Sequence, residues 1–177
     1  MESSTVQLVG VAIPTLRQLR ETVLSAADTE SAVNALREAG YAGGDAVYEA
    51  FEQWLRESRG DESPESAVDL PLDDFGDAAA AFFRNAGWGE VTFSHDEADG
   101  VAMLDITGCW EGASGDDSGC HVTTGLLASF FGKIAGYPVA VLETECCSGS
   151  SSRCRFLMGN AEVMQYKWEE QQQQQQQ

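Results

Sequence analysis

The stretch Val139-Ala-Val-Leu-Glu143-Thr-Glu-Cys146-Cys147, its Gly/Ser-rich continuation around Gly149, and the return Arg153-Cys154-Arg155-Phe156-Leu157-Met158 decide how this chain is read. Behind Pro138, Val139 to Glu145 is short and rich in β-branched residues, as a strand should be, and Arg153 to Met158 returns as its partner. Glu143 and Cys146 lie three apart, a spacing that puts both side chains together only if the backbone turns there. The returning strand brings Cys154 back beside Cys146. Cys147, next in sequence to Cys146, is expected to point the other way, as a spare buried thiol or a competing ligand.

Upstream of this hairpin, Val122, Leu126, Phe130 and Ile134 recur at helical spacing, with Cys120 at the start of that helix and Gly136 at its end. Gly112 to Gly119 reads as a small acidic loop. Before it, Val91, Phe93 and His95 alternate with polar residues, Asp99-Gly100 signals a turn, and Ala102, Leu104 and Ile106 alternate again, so a second hairpin is expected. A helix should begin near Leu72, with Asp73 and Asp74 in its first turn, and stop at Gly87. Glu57 to Pro71 is polar and holds two prolines, a loop. From Asp28, a cap by residue type, one apolar stripe runs from Ala32 to Ala39 and another from Val47 to Leu55. Gly40, Gly43 and Gly44 lie between them, leaving two helices or one long helix open. The sum is an α+β fold: N-terminal helices followed by a β-β-α-β-β antiparallel sheet. Residues 1–27 are an N-terminal segment, 28–168 the domain, and 169–177 a disordered tail ending in Gln171 to Gln177.

Of the 177 residues 43% are hydrophobic, enough for one buried core. Ten basic against twenty-nine acidic residues leave a net charge of −19, which repels phosphate backbones and anionic membrane surfaces. Neither nucleic-acid binding nor membrane binding is expected. No secretion signal opens the chain and no run approaches the ~18 apolar residues of a membrane span, so a cytoplasmic location is expected. Five cysteines, an odd number, point in a reducing compartment to metal or reactive thiols before disulfides.

Zinc takes four ligands in a tetrahedron, thiolates preferred and carboxylate or imidazole accepted. Cys120, Glu143, Cys146 and Cys154 offer such a set, with Cys120 at a helix N-terminus that favours a thiolate. Against this stands the commoner fate of cysteine as a small buried hydrophobe, and Cys-x7-Cys is not a familiar finger spacing. From residue types and spacing alone the two readings stand level. His121 is an alternative ligand to Glu143.

The pattern Cys120…Gly125…Val139-Ala-Val-Leu-Glu143-Thr-Glu-Cys146…Gly149…Cys154-Arg-Phe156 resembles the signature of the vinyl-4-reductase domain. Leu36-Arg-Glu-Ala-Gly-Tyr-Ala-Gly-Gly44 resembles that family's glycine-containing helix. The likeness spans roughly Leu36 to Met158, with its specific part in the C-terminal half. It implies the fold shared by nitric-oxide-signalling and Golgi-transport domains. In the phenol-sensing transcriptional activators that contain this domain, it implies a structural zinc on three cysteines and a glutamate, which fall here on Cys120, Glu143, Cys146 and Cys154. It also implies a small apolar or aromatic ligand in an internal pocket and a homodimer. The activators continue into an ATPase and a DNA-binding unit that this sequence lacks, so output would pass through a downstream signalling protein.

Trp110, beside the acidic loop, and His95, alternating with Phe93, are the candidate ligand contacts. Phe130, Phe131 and Tyr137 lie in the same region and read first as core. No phosphate-binding loop, dinucleotide fingerprint or nucleophile elbow is present, so catalysis is not the expected role. The leading expectation is a stand-alone small-molecule binding or sensor module braced by structural zinc. The alternatives are a component of tetrapyrrole 4-vinyl reduction fed by a partner's electron donor, and a structural adaptor of the vesicle-tethering type.

Overall fold

The glycine-punctuated region after Asp28 is one helix, and the reason lies in what crosses it. In the computed structural model, which describes residues 9–60, 64–96, 101–112, 119–147 and 151–165, α2 runs unbroken over Thr29–Arg59. Asp28 caps it, accepting from the Ser31 amide at 3.0 Å. Helix α4, His121–Ala135, packs across α2 so closely that a Cβ on Gly40 would collide with the Val122 carbonyl and one on Gly44 with the Ser129 side chain. From the other side, a Cβ on Gly125 would strike the Arg37 carbonyl. Small residues at four-residue spacing on both helices thus admit backbone-to-backbone contact, and the glycines serve packing where they resembled breaks.

A helix not anticipated from sequence, α1 over Ile13–Ala26, lies in the 1–27 segment, with Pro14 in its first turn. Its apolar face is narrow, and Val11, Ile13 and Leu19 are exposed, so periodicity gave little sign of it. After α2, a single 3-10 turn at Ala67–Asp69 is held by Glu52, whose Oε1 accepts from Tyr48 Oη at 2.6 Å, the Ala67 amide at 2.8 Å and Ser66 Oγ at 2.9 Å. Helix α3 then occupies Leu72–Asn85, starting where the sequence placed it.

The four strands are β1 Glu90–Asp96, β2 Val101–Thr107, β3 Val139–Glu145 and β4 Arg153–Asn160, antiparallel throughout in the order β1-β2-β4-β3. The expected α+β architecture is therefore present. Alternation sends Leu104, Ile106, Cys154, Phe156 and Met158 into the core, where they meet Phe51, Phe83, Leu127 and Phe130. Phe130 is the hub, with ring centroids 5.1–5.6 Å from Phe131, Phe83 and Phe51. On the opposite face Asp105 takes a bidentate pair from Arg155 at 2.7 and 2.8 Å. The tail from Gln171, the Asp99-Gly100 turn and the segment around Gly149 lie outside the described residues.

Candidate metal centre

Between Glu143 and Glu145 the β3–β4 register shifts. Three residues along a regular strand would send Glu143 and Cys146 to opposite faces; this irregularity returns them to one. Cys154, paired on β4 with Ile106, is fully buried, and Cys120 occupies the N-cap of α4, also fully buried. One donor atom from each of Cys120, Glu143, Cys146 and Cys154 lies within 4.8 Å of the others. The Cys120 Sγ is 3.4 Å from that of Cys154 and 4.0 Å from that of Cys146. Zinc–thiolate bonds of about 2.3 Å in a tetrahedron place sulfurs about 3.8 Å apart, so these spacings suit a single four-coordinate ion.

Glu143 fits the same reading. Its Oε2 accepts from the Cys120 amide at 2.6 Å, while Oε1 is buried without a hydrogen-bond partner among the described residues. A buried carboxylate oxygen left unmatched is costly unless a cation or donor meets it. Gly119 beside it has φ +79°, and a Cβ there would stand 2.9 Å from Glu143 Oε2, so the carboxylate reaches the helix start only over a glycine.

The remaining cysteines also join the cluster. Cys109, expected to pack in the core, is fully buried, with its Sγ 3.8 Å from Cys120 Sγ. Cys147 does not point away: its Sγ is 3.3 Å from Cys154 Sγ, because the chain leaves the regular strand before it and strict alternation no longer applies. Gly112 backs the group; a Cβ on it would lie 2.6 Å from the sulfurs of Cys147 and Cys154 and 3.3 Å from that of Cys120. Hydrogen bonding with Cys109 and then burial hold the Cys120 thiol far above its ordinary range, and hydrogen bonding with Cys109 also raises Cys154. Hydrogen bonds from Cys120 and Cys154 draw Cys109 down. Crowded thiols resist shedding several protons together unless a cation compensates.

A second polar group, not singled out from sequence, supports the centre. Glu111 is fully buried and accepts from the Val122 amide at 3.0 Å and from the Thr123 amide and hydroxyl at 2.9 Å each, capping α4. Arg20 of α1, 2% exposed, pairs with it at 3.3 Å and donates to the Gly119 carbonyl at 2.8 Å. Burial pushes the Glu111 carboxyl up, against the pull of its donors. Arg17 adds a 2.8 Å bond to the Trp110 carbonyl. Helix α1 thus grips both ends of the loop before Cys120. No periodicity marks a glutamate placed between Trp110 and Gly112, which is why it escaped notice.

The candidate ligand contacts separate. Trp110 is buried edge-on against Trp88, its Nε1 without an acceptor among the described residues. His95 pairs with Ala102 in register, and its side chain lies outside the described set. A cavity of about 680 Å³ lies elsewhere, lined by residues including Phe75, Phe93, Ala102, Phe131, Tyr137 and Met158. Neither Trp110 nor His95 lines it, whereas Phe131 and Tyr137, read first as core, do.

Residues 108–160 match the family model of the vinyl-4-reductase (V-4-R) domain. Among solved structures, the phenol-responsive sensory domain of the transcription activator PoxR, with phenol, is similar at a TM-score of 0.63 and 17% identity, covering 88% of this chain and 77% of that one. A vinyl-4-reductase family protein from Methanocaldococcus jannaschii aligns at a TM-score of 0.40 and 14% identity, over 87% of this chain and 98% of that one. No curated protein matches the chain.

Proposed function

We propose that this chain, which matches the vinyl-4-reductase domain over residues 108–160, is a small-molecule binding or sensor module whose ligand occupies the apolar cavity and whose hairpin is braced by zinc. The observation that carries the reading is the cavity. Its volume of about 680 Å³ suits a small organic ligand, and phenylalanines from α3, β1 and α4 line it. Phe93 and Phe131, with centroids 5.8 Å apart, offer an edge and a face to an aromatic guest. The phenol bound by the PoxR sensory domain, similar in fold, makes an aromatic ligand the class to try first. Trp110 is retained as a contact candidate for its unmatched indole N–H, and His95 for its place across from Ala102.

Cys120, Glu143, Cys146 and Cys154 would hold the zinc. Zinc supplies there a cross-link between the α4 start and the β3–β4 hairpin, with no position open for substrate water, and so contributes to folding. Free thiols in such number suit a reducing, cytoplasmic setting. No described helix is long and apolar enough to cross a membrane. Ligand binding would act by shifting contacts with a second copy of the chain or with a downstream protein.

The test is a thermal-shift screen of the zinc-loaded chain with phenols and larger apolar aromatics. A ligand at a hundred times its Kd should stabilise by about 2.7 kcal/mol, a rise of several degrees. If no compound raises Tm at millimolar concentration, the sensor reading fails.

A further inference from the structure

We propose that Cys147 and Cys154 form an oxidisable dithiol, a site of reversible disulfide formation set beside the metal ligands. Cys147 is outside the four-donor set, yet its Sγ lies 3.3 Å from Cys154 Sγ and its amide donates to the same sulfur at 3.4 Å. Bond formation requires the two sulfurs to approach to about 2.05 Å, a shift of roughly 1.3 Å. That is within reach of side-chain rotation at the mouth of a hairpin.

Access decides the order of events. Cys109, Cys120 and Cys154 are fully buried, whereas Cys147 is half-buried and meets a solvent-borne oxidant first. Cys146 is also half-buried but belongs to the donor set. With a hydroperoxide as oxidant, the Cys147 sulfur takes one oxygen, becoming a sulfenic acid, and one water or alcohol leaves. The Cys154 sulfur then attacks the Cys147 sulfur; the S–S bond forms, the S–O bond breaks, and the departing hydroxide takes the Cys154 proton as a second water. Two thiols lose two electrons and one hydroperoxide gains them. A thiol donor reverses the change by exchange at the disulfide.

The pair exists whether or not a metal is held. Its consequence rests on the zinc reading: Cys154 cannot be a thiolate ligand and a disulfide sulfur together, so oxidation removes one of four ligands and loosens the brace between α4 and the hairpin.

The experiment treats the full chain, zinc-loaded and metal-free, with equimolar hydrogen peroxide. Free thiols are then alkylated, linked peptides mapped by mass spectrometry, and released zinc read with a chromogenic chelator. A Cys147–Cys154 linkage is expected in both samples, with about one zinc released per linkage formed. Cys147→Ser should release zinc several-fold more slowly at the same dose. Linkage of Cys154 to Cys120 or Cys109 instead, over-oxidation of Cys147 without linkage, or unchanged release from Cys147→Ser would overturn the proposal. Because the linkage is mapped in the unaltered chain, poor folding of the variant does not blunt the test. A chain that binds no zinc yet links Cys147 to Cys154 would uphold the dithiol while the metal reading fell.

Discussion

At the scale of single residues, the centre depends on groups that serve other groups. Glu111 touches none of the four candidate ligands through its side chain, yet it caps the helix that Cys120 begins and neutralises Arg20 in the interior. Removing one partner of a buried pair strands the other's charge, a cost of about 3–5 kcal/mol that well exceeds the usual worth of a surface bridge. Glu111→Ala should therefore lower stability by that amount in urea unfolding, and an effect under about 1 kcal/mol would show that the pair is solvated. Cys154→Ser tests the ligands directly: elemental analysis should find about one zinc in the parent chain and a large loss in the variant. Full retention would mean the ligand set is wrong. How far the centre was legible follows from these residues. Cys120, Glu143, Cys146 and Cys154 were readable because donor type and hairpin spacing are local properties. Glu111 and Arg20 lie far apart in sequence, and no local pattern links such a pair; Cys147 was misread because a register shift cancels the alternation that sequence reasoning assumes.

Among the elements, periodicity served well where one face is apolar and the other wet. Helix α3 and all four strands lie where spacing put them. It served poorly for α2, whose three glycines looked like an interruption, and for α1, whose narrow apolar face gives little moment to detect. The α2–α4 crossing turns that ambiguity into a measurement. Gly125→Ala would push a methyl into the Arg37 carbonyl, backbone that cannot rotate aside, and should cost about 1–3 kcal/mol by overpacking. Gly43→Ala, on the same long helix with nothing within 4 Å of its Cβ, should stabilise by about 0.5–1 kcal/mol through helix propensity. Equal effects from the two would refute the close crossing. On the sheet, hydrogen bonds from Arg155 lower the Asp105 pKa below its ordinary 3.8. A depressed folded pKa means the contribution is fully present above about pH 4 and is lost as pH falls through the folded value. Acid unfolding followed by circular dichroism should thus begin at higher pH in the parent chain than the rest of the sheet requires, and Asp105→Asn should flatten that limb while weakening the protein at neutral pH.

For the whole molecule, brace and cavity occupy different ends of one layer. The thiols gather where α4 begins and β3 ends, while the cavity uses the later part of α4, with Phe131 and Ile134, and the opposite end of β4, with Met158 and Gly159. One helix and one strand therefore carry both, so a change at either end can be felt at the other through rigid elements instead of a flexible path. The two should nevertheless separate by mutation. Ala102 is half-buried on β2 in the cavity wall, far along the strand from Ile106, the residue that pairs with Cys154. Ala102→Phe projects a ring into space that is already open, so it should fill the cavity without the strain of overpacking a closed core. The variant should keep its zinc and its melting temperature to within a few degrees, and lose at least tenfold in affinity for any aromatic found to stabilise the parent chain, about 1.4 kcal/mol of binding free energy. Calorimetric titration against that compound decides it. Unchanged affinity would move the ligand away from this cavity, and the unmatched indole N–H of Trp110 would then be the next place to look.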